Sequence, residues 1–319
     1  MTPRKVLVTG GAGFIGSHVA EAYRARGEHV WVLDDLSSGR RENVSPGIEL
    51  VVLDVGSGDV GALFREAGGF DVVNHHAAQI DVRTSVADPR LDARVNLDGL
   101  LNLLECARGY GTQRFVFVSS GGVIYGEPAA RPTPETAPKL PLSPYGVSKL
   151  ASEHYLHYYQ RVHGLEYVAL RYANVYGPRQ DPNGEAGVVS IFSSRLMAGE
   201  PLTIFGDGEQ TRDFVYVGDV VTANLLATDL ALPPATDLEA RAFNVATGRE
   251  TSVNGLARAL MAVAGREVAT LHAPERPGEL RHSCLDVRRL RGRGWRAATS
   301  LGDGLARTYE FICAQGAVR

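Results

Sequence analysis

Cysteine is scarce in this sequence. Only three of its 319 residues are cysteines, Cys106, Cys284 and Cys313, and they lie far apart without metal-site spacing. This pattern excludes a small scaffold held together by disulfides and favours free thiols in a reducing compartment. The sequence also lacks an apolar run of the about 20 residues that span a membrane, and a strand-like segment follows Met1 where a signal peptide would need room. We therefore expect a cytoplasmic protein without a membrane partner.

An excess of charge of one sign is absent as well. Lysine and arginine total 33, aspartate and glutamate total 36, and the formal net charge is −3. Since a nucleic-acid groove needs a strongly basic surface, we expect no nucleic-acid partner. Hydrophobic residues make up 44% of the chain, which is typical of a globular protein, and the length suits one large domain or two joined ones.

A glycine-rich turn near the start of the chain is the strongest signal that is present. The apolar run 6–8 leads into Gly10, Gly13 and Gly16, and a helical pattern follows them. In such a turn the first glycine permits a tight bend, the second lets the backbone approach a pyrophosphate, and the third lets the helix pack on the strand. The N-terminus of the helix then offers free N–H groups to phosphates. The segment therefore predicts a bound dinucleotide.

Asp34 indicates which dinucleotide is bound. It ends a second apolar run, 30–33, where its carboxylate can accept hydrogen bonds from an adenosine ribose diol. A 2′-phosphate beside this carboxylate would meet like-charge repulsion, so NAD is favoured over NADP. Arg40 and Arg41 could pair with a phosphate, but they lie beyond the turn 37–39 and are interpreted as a solvated pair.

Strand-like runs alternate with helical patterns through the first half of the chain. After 30–33, the runs are 50–53, 72–73, 115–118 and 167–171, and an amphipathic stretch covers 92–107. This alternation is typical of right-handed βαβ crossovers and predicts an α/β fold with a doubly wound parallel sheet, the Rossmann arrangement. The runs 215–217 and 243–245 are predicted as further strands of the same sheet. We assign residues 1–176 and 212–247 to an NAD-binding Rossmann domain, and residues 177–211 and 248–319 to a smaller α/β lobe for the substrate.

Tyr145 and Lys149 form the second strong signal. They are four residues apart in a helical pattern, so both side chains project from one face of the helix. A phenol is a poor base at neutral pH, but a neighbouring ammonium group favours the phenolate and lowers the phenol pKa. Ser119 and Ser120 follow the strand 115–118, at the edge of an open α/β sheet where ligands bind. The pair and a serine hydroxyl could therefore take a proton from an alcohol while a hydride leaves the same carbon.

With these residues in hand, the sequence resembles the extended short-chain dehydrogenase/reductase family, specifically its nucleotide-sugar 4-epimerase branch. The resemblance covers nearly the whole chain through the segments 8–16, 76–79, 170–178, 210–213 and 276–279, together with Asn96 and the Tyr145/Lys149 pair. It implies NAD-mediated oxidation at C4 of a UDP-hexose, rotation of the 4-keto sugar and return of the hydride. UDP-glucose and UDP-galactose would thereby be interconverted.

The resemblance also implies roles for particular residues. Tyr145, Lys149 and Ser120 would be catalytic. The cofactor would be held by Gly10, Gly13, Phe14, Ile15, Gly16, Asp34, Asp35, Ser38, Gly39, Asp54, Val55, Ala77, Ala78, Gln79, Asn96, Ser119, Tyr145, Lys149 and Tyr172. The nucleotide sugar would be held by Ser120, Tyr145, Asn174, Val188, Phe205, Arg212, Arg276 and Ser283. Two separate arginines suit a diphosphate, which favours charged, forked donors.

Two positions matter for the details of this interpretation. The family's catalytic hydroxyl usually lies four residues before the tyrosine of the Tyr-Gly pair, here Tyr125, and that position is Gly121. Spacing from Tyr145 indicates Ser120 instead. Ser283 matches a position that limits the size of the sugar pocket in this family, and because serine is small, UDP-GlcNAc and UDP-GalNAc are expected to fit as well.

Other activities on the same scaffold are alternatives. A 4,6-dehydratase typically carries an Asp-Glu pair just before the Tyr-Gly turn, and a UDP-glucuronate decarboxylase carries a glutamate in it, whereas residues 122–124 are Gly-Val-Ile. A UDP-glucuronate 4-epimerase stays open, because its distinguishing contacts cannot be inferred from spacing. A non-catalytic NAD-binding protein is the remaining alternative, and the intact Tyr145, Lys149, Arg212 and Arg276 argue against it.

Some conspicuous residues receive structural interpretations. His75 and His76 follow a buried strand without acidic or thiol partners at ligand spacing, so no metal site is expected. Glu153, His154 and His157 are interpreted as helix surface or a subunit contact. By resemblance, the chain would form a homodimer through helices near 92–108 and 150–162.

Overall fold

The computed structural model describes residues 3–182, 187–275 and 280–316. The strands are β1 (Lys5–Thr9), β2 (His29–Asp34), β3 (Glu49–Val52), β4 (Val72–His75), β5 (Arg114–Ser120), β6 (Tyr167–Tyr172), β7 (Asn174–Tyr176), β8 (Leu202–Phe205), β9 (Thr211–Arg212), β10 (Phe214–Tyr216), β11 (Ala242–Val245), β12 (Thr251–Ser252) and β13 (Thr270–Ala273). The helices are α1 (Phe14–Ala25), α2 (Val60–Ala67), α3 (Val82–Ala87), α4 (Pro89–Ala93), α5 (Gly99–Gly109), α6 (Pro144–His163), α7 (Val188–Ala198), α8 (Val217–Asp229), α9 (Val253–Ala264), α10 (Arg288–Arg291) and α11 (Leu301–Gly316). Turns of 3₁₀ helix cover Arg41–Asn43 and Glu239–Arg241, and a π-helical turn covers Arg94–Asp98.

Seven strands form the central sheet, in the spatial order β11-β6-β5-β4-β1-β2-β3. The pairs β1·β2, β1·β4, β2·β3 and β4·β5 are all parallel. The chain order reverses between β1 and β4, and at such a switch point a doubly wound sheet opens a crevice beyond the carboxyl ends of its strands. The predicted fold class is confirmed, and the crevice lies beyond Thr9 and His75, where these two strands end.

Burial of both sheet faces explains the continuous apolar strands. Successive side chains of a strand point to opposite faces. Leu7 packs into a cluster with residues of α2, α5 and α6, whereas Val6 and Val8 pack into a second cluster with residues of α1. All three are completely buried, so the apolar run 6–8 reflects a strand covered by helices on each side.

One predicted strand has a different partner. The run 243–245 lies in β11, which joins the central sheet as predicted. The run 215–217 contributes to β10, but β10 pairs in parallel with β7 in a separate two-stranded sheet. That part of the prediction is wrong, because burial of Phe214, Val215 and Tyr216 marks a core strand without specifying which sheet it joins.

The helix predicted over 92–107 is interrupted. The last turn of α4 passes into the π-helical turn, and regular α-helix resumes at Gly99 in α5. The wider turn carries Asn96, whose side chain accepts a hydrogen bond from the Gln79 N–H at 2.9 Å and donates to the Gln79 carbonyl oxygen at 2.9 Å. Single π turns of this kind are frequent at functional sites.

Two compact units divide the chain. The first contains Met1–Ile124, Pro141–Arg171 and Val221–Phe243, and the second contains Tyr125–Leu140, Tyr172–Val220 and Asn244–Arg319. Within the second unit, the Tyr125 hydroxyl donates to Asn244 Oδ1 at 2.8 Å, and Glu135 Oε1 accepts the Asn244 N–H at 2.9 Å. The division inferred from the sequence instead assigns 125–140, 172–176, 212–220 and 244–247 to the Rossmann domain.

Gly16 is expected to be essential for the packing of α1 on β1. A Cβ atom at this position would lie far inside contact distance of the Gly10 carbonyl oxygen. We therefore expect Gly16→Ala to lower the free energy of unfolding by about 1–3 kcal/mol. Gly61→Ala in α2 is the matched control, because nothing lies within 4 Å of its added Cβ, and we expect a gain of up to about 1 kcal/mol there. Urea unfolding measures both, and equal effects would contradict the packing argument.

Candidate active site

The glycine-rich turn forms a tight crossing between β1, β4 and α1. Gly10 has a φ of +64°, and a Cβ on it would lie 2.6 Å from the Ala77 backbone nitrogen. Gly13 is the N-cap residue that precedes α1, and no side chain within the described residues caps that helix. The N–H groups of the first helical turn are therefore available to an anion, and the absence of side chains lets a pyrophosphate approach them.

Asp34 ties together the loops that surround this turn. Its Oδ2 accepts the Ala12 N–H and its Oδ1 accepts the Leu36 N–H, each at 2.9 Å. Burial raises the pKa of this carboxyl group, while the two backbone N–H donors act in the opposite direction. A Cβ on Gly39 would lie 2.5 Å from Asp34 Oδ1. Each carboxylate oxygen keeps capacity for a further donor, as a ribose diol requires.

Several further predicted cofactor residues lie on loops at the carboxyl ends of β2, β3 and β4. Asp54 is exposed and its Oδ1 accepts the Gly56 N–H at 2.8 Å, while Val55 is buried. Asn102 Nδ2 donates to the Val55 carbonyl oxygen at 2.7 Å and so fixes this turn. Asp35, Ser38, Ala77 and Ala78 lie on these loops at half-buried to exposed positions, and Phe14 and Ile15 are half-buried in the first turn of α1.

The glycine-rich turn, the N-terminus of α1 and Asp34 together form a site that suits a bound dinucleotide. The glycine positions would collide with neighbouring backbone or carboxylate atoms if they carried side chains, so the close backbone crossings require glycine. A helix N-terminus and a carboxylate at the end of the second strand complete the set that NAD needs.

The start of α6 positions Tyr145 and Lys149. Ser143 Oγ accepts the Gly146 N–H at 3.2 Å, and Pro144 occupies the first helical position, where its missing N–H is tolerated. Lys149 Nζ lies 5.8 Å from the centre of the Tyr145 ring and 5.0 Å from that of Phe117. The helix start therefore brings the two predicted catalytic side chains together.

Lys149 is almost fully buried, and its ammonium group donates to the Val118 carbonyl oxygen at 2.9 Å. Burial lowers its pKa to about 8, and the charges of Asp92 and Glu153 oppose that change. At neutral pH the group is therefore mostly protonated. An ammonium group this close to a phenol favours the phenolate, which can act as a general base.

Ser119 and Ser120 face different surroundings at the end of β5. The Ser119 hydroxyl is buried and donates to Glu153 Oε1 at 2.6 Å. Within the described residues, the Ser120 hydroxyl has no hydrogen-bond partner, and Ser120 is only half-buried. A substrate oxygen could therefore engage Ser120, whereas the Ser119 side chain is occupied by the helix behind it.

Glu153 is not a surface residue, so that interpretation was wrong. It is completely buried and pairs with Arg171, whose Nη2 lies 2.6 Å from Glu153 Oε2 and whose Nε donates to Oε1 at 3.0 Å. Arg171 also contacts Glu239 at 3.0 Å. A spacing of four from Lys149 could have indicated its orientation, because Tyr145, Lys149 and Glu153 share one helical face.

Of the predicted sugar-nucleotide residues, Ser120 and Tyr145 lie in the first unit and the others that the structure describes lie in the second. Asn174 begins β7, Val188 begins α7, Phe205 ends β8, and Arg212 ends β9. Ser283 is buried and its N–H donates to the Thr211 carbonyl oxygen at 3.1 Å. Tyr172, predicted at the cofactor, ends β6 and is also buried. Arg276 lies outside the described residues.

Asp213 organises this part of the second unit and was missed from the sequence. Its completely buried carboxylate accepts hydrogen bonds from the Thr247 N–H at 2.8 Å, the Thr247 hydroxyl at 2.6 Å and the Gly248 N–H at 2.9 Å. It thereby fixes the chain immediately after Arg212. Its place beside Arg212, in the segment 210–213 that carries the family resemblance, could have drawn attention to it.

Near Lys149, His75 is buried and His76 is half-buried, and both rings remain neutral. Burial is the largest cause that lowers the pKa of each ring, to about 3 for His76, and the Lys149 charge acts in the same direction. His75 Nδ1 is hydrogen-bonded to Thr9 Oγ1 at 2.7 Å. Within the described ranges, no group of three or more His, Cys, Asp or Glu side chains could hold a metal ion. Nor does any helix in those ranges combine the length and apolar content needed to cross a membrane.

Comparison with known proteins agrees with this geometry. The model of the NAD dependent epimerase/dehydratase family matches residues 6–246. UDP-glucose 4-epimerase of Mycolicibacterium smegmatis is 46% identical over 314 residues, which are 97% of this chain and 98% of that protein. The crystal structure of Thermotoga maritima UDP-glucose 4-epimerase with UDP-glucose is 43% identical, with a TM-score of 0.92 over 99% of this chain and 100% of the other. The Thermus thermophilus UDP-glucose 4-epimerase complex with NAD is 46% identical, with a TM-score of 0.89 over 97% and 98%.

Proposed function

This chain belongs to the NAD dependent epimerase/dehydratase family, and we propose that it interconverts UDP-glucose and UDP-galactose with NAD as its bound cofactor. The observation that carries the proposal is the buried Lys149 ammonium group 5.8 Å from the Tyr145 ring. A structural lysine would not be expected at this depth beside a phenol unless its charge were used. The similarity to UDP-glucose 4-epimerases over nearly the whole chain supports the substrate.

The mechanism needs no net oxidant. When bound, the nicotinamide supplies a hydride acceptor and donor for C4 of the hexose. Tyr145, as a phenolate, removes the 4-hydroxyl proton as C4 is oxidised, and it returns the proton to O4 when C4 is reduced on its opposite face. The charge of the Lys149 ammonium group favours the phenolate over the neutral phenol. Ser120 would hydrogen-bond the sugar oxygen through the hydroxyl that has no protein partner in the described residues.

We propose that residues of the second unit bind the nucleotide. Arg212 and Arg276 would bind the diphosphate, because forked, always charged guanidinium groups suit it. Asn174, Val188 and Phe205 would contact the rest of the UDP group. The hexose itself must be held loosely, since the 4-keto sugar has to turn before C4 is reduced again.

Replacing Tyr145 by phenylalanine tests the mechanism. Tyr145→Phe removes the proton acceptor but keeps the ring, so we expect conversion of UDP-galactose to UDP-glucose, followed by NMR, to fall by about 10²–10⁴-fold. NAD released on denaturation should remain at the wild-type amount. Tyr110→Phe, at an exposed tyrosine after α5, is the matched control and should keep full activity. An active Tyr145→Phe enzyme would overturn the assignment.

Ser283 supports a proposal about substrate range. Because a small side chain stands at this buried position, we propose that UDP-GlcNAc and UDP-GalNAc are also interconverted. We expect Ser283→Tyr to lower turnover of the acetylated pair by at least about tenfold, while turnover of the unacetylated pair, the internal control, stays at the wild-type rate.

A panel with UDP-glucose, UDP-GlcNAc, UDP-glucuronate and dTDP-glucose would show the preferred sugar. Turnover of UDP-glucuronate alone would replace the proposed substrate.

We propose a homodimer that forms through α4, α5 and α6. Four apolar side chains are exposed along one side of α6, namely Val147, Tyr155, Tyr158 and Val162, with exposed fractions of 53%, 41%, 49% and 60%. Beside them lies a hollow of about 550 Å³, lined by Pro89, Ala93, Leu97, Leu142 and Val147 among others. An apolar patch of this kind on a helix pair is typical of a protein interface.

The free thiols of Cys106, Cys284 and Cys313 support the proposal that the protein works in a reducing compartment, the cytoplasm.

Charges placed on this face should separate the subunits. We expect the double variant Tyr158→Glu, Val162→Glu to sediment as a monomer in analytical ultracentrifugation, because two buried carboxylates would be unpaired in the interface. Leu271→Glu, at an exposed position in β13, is the control and should leave the dimer intact. A wild-type protein that sediments as a monomer would contradict the proposal.

A further inference from the structure

Asp92 is a buried carboxylate whose bonded neighbours are all neutral. It lies on α4, is completely buried, and accepts hydrogen bonds from Ser148 Oγ at 2.5 Å and Asn96 Nδ2 at 2.9 Å. Gln79 Nε2 lies 3.5 Å from the same oxygen as Asn96. In the described residues no lysine, arginine or histidine forms an ion pair with it. Such a charge is unfavourable unless a nearby cation offsets it.

We propose that Asp92 is a positioning residue that serves as the counter-charge of the Lys149 ammonium group and fixes Asn96 and Ser148 beside it. The proposal rests on the proposed function, because it assigns to Asp92 the task of keeping the Tyr145 phenolate available. Asp92 is completely buried and lies outside the Tyr145/Lys149 pair.

The charges that face Lys149 single out Asp92. On the β5 side, the Lys149 ammonium group donates to the Val118 carbonyl oxygen and lies over the Phe117 ring. At the end of β4, the neighbouring His75 and His76 rings are neutral. On its own helix, its neighbours are Tyr145 and Glu153, and Arg171 already neutralises Glu153 through two hydrogen bonds.

Asp92 is therefore the carboxylate near Lys149 that no arginine neutralises in the described residues. Its charge is also the first of the two that raise the Lys149 pKa against the effect of burial. Removing it should shift the ammonium group towards its neutral form, because nothing else compensates burial to the same extent.

The hydrogen bonds of Asp92 join the other parts of the site. Ser148 directly precedes Lys149 on α6, so its bond to Asp92 fixes the first turns of that helix against α4. Asn96 holds both backbone atoms of Gln79 and uses its remaining amide hydrogen on Asp92. One carboxylate thus orients the loop after β4 and the helix that carries the catalytic pair.

Asp92→Asn removes the charge and keeps the shape. The Asn96 amide cannot turn round, because it holds Gln79 through both of its ends. The new side chain would therefore point its oxygen at Asn96 and its nitrogen at Ser148 Oγ, which can accept a hydrogen bond. Ser148→Ala is the matched control, since it removes a hydrogen bond to Asp92 but leaves the charge.

Lysine NMR measures the effect directly. The chain has only three lysines, Lys5, Lys139 and Lys149, so selective ¹³C labelling of lysine ε-carbons gives few signals. The Lys149 signal is identified by its loss in Lys149→Arg. We expect the Lys149 pKa to fall by about 1 pH unit in Asp92→Asn and to stay unchanged in Ser148→Ala. An unchanged value in Asp92→Asn overturns the proposal.

Activity of the holoenzyme provides the second readout. A fall in the Lys149 pKa from about 8 to about 7 would reduce the protonated fraction at pH 8 about fivefold, but hardly at pH 6. Epimerisation by Asp92→Asn should follow the same pattern. An equal loss at both pH values would show a merely structural role and overturn the proposal. If Asp92→Asn fails to fold, Asp92→Ser tests the same loss of charge.

The titration needs no sugar substrate, so the two proposals can fail separately. A lowered Lys149 pKa in a protein that turns over no UDP-hexose would reject the proposed function and retain the counter-charge. Turnover with an unaltered Lys149 pKa would do the reverse.

Discussion

A buried ammonium group beside a phenol is the interaction on which the candidate site depends. Taking a lysine out of water disfavours its charged form, and burial accordingly lowers the Lys149 pKa to about 8. The charge survives at neutral pH because a carbonyl oxygen, an aromatic face and two carboxylates surround it. Polar groups around β5 and α6 therefore decide how readily Lys149 holds its proton.

A single helix places most of these groups. Because Ser143 and Pro144 fix where α6 begins, they also fix which residues face the sheet. Tyr145, Lys149 and Glu153 then follow at intervals of four, and Glu153 is held from behind by Arg171. A shift of this helix by one residue would turn all of them away together, so the cap controls the chemistry indirectly.

The fold could be predicted from the sequence where the signal is local. Apolar runs such as 6–8 are buried on both faces of the sheet, and the glycines of the first turn are required by the close backbone crossings beside them. The prediction failed where long-range pairing decides the result. The run 215–217 looks like a central strand, yet β10 pairs with β7, because burial alone does not choose between neighbouring sheets.

The residues of the candidate site likewise divide into those that could be predicted from local sequence and those that could not. The glycine-rich turn could be identified from the sequence, because only glycine fits its close backbone crossings. Asp34 could be identified as well, since a carboxylate at the end of β2 accepts backbone N–H groups of the flanking loops. Side chains whose role depends on burial could not be identified from the sequence. Asp92, Glu153 and Asp213 look like ordinary surface acids in the sequence, since nothing local shows that tertiary packing buries them. A charged residue therefore gains its function here from how completely water is excluded, which is a property of the assembled fold and not of any short segment.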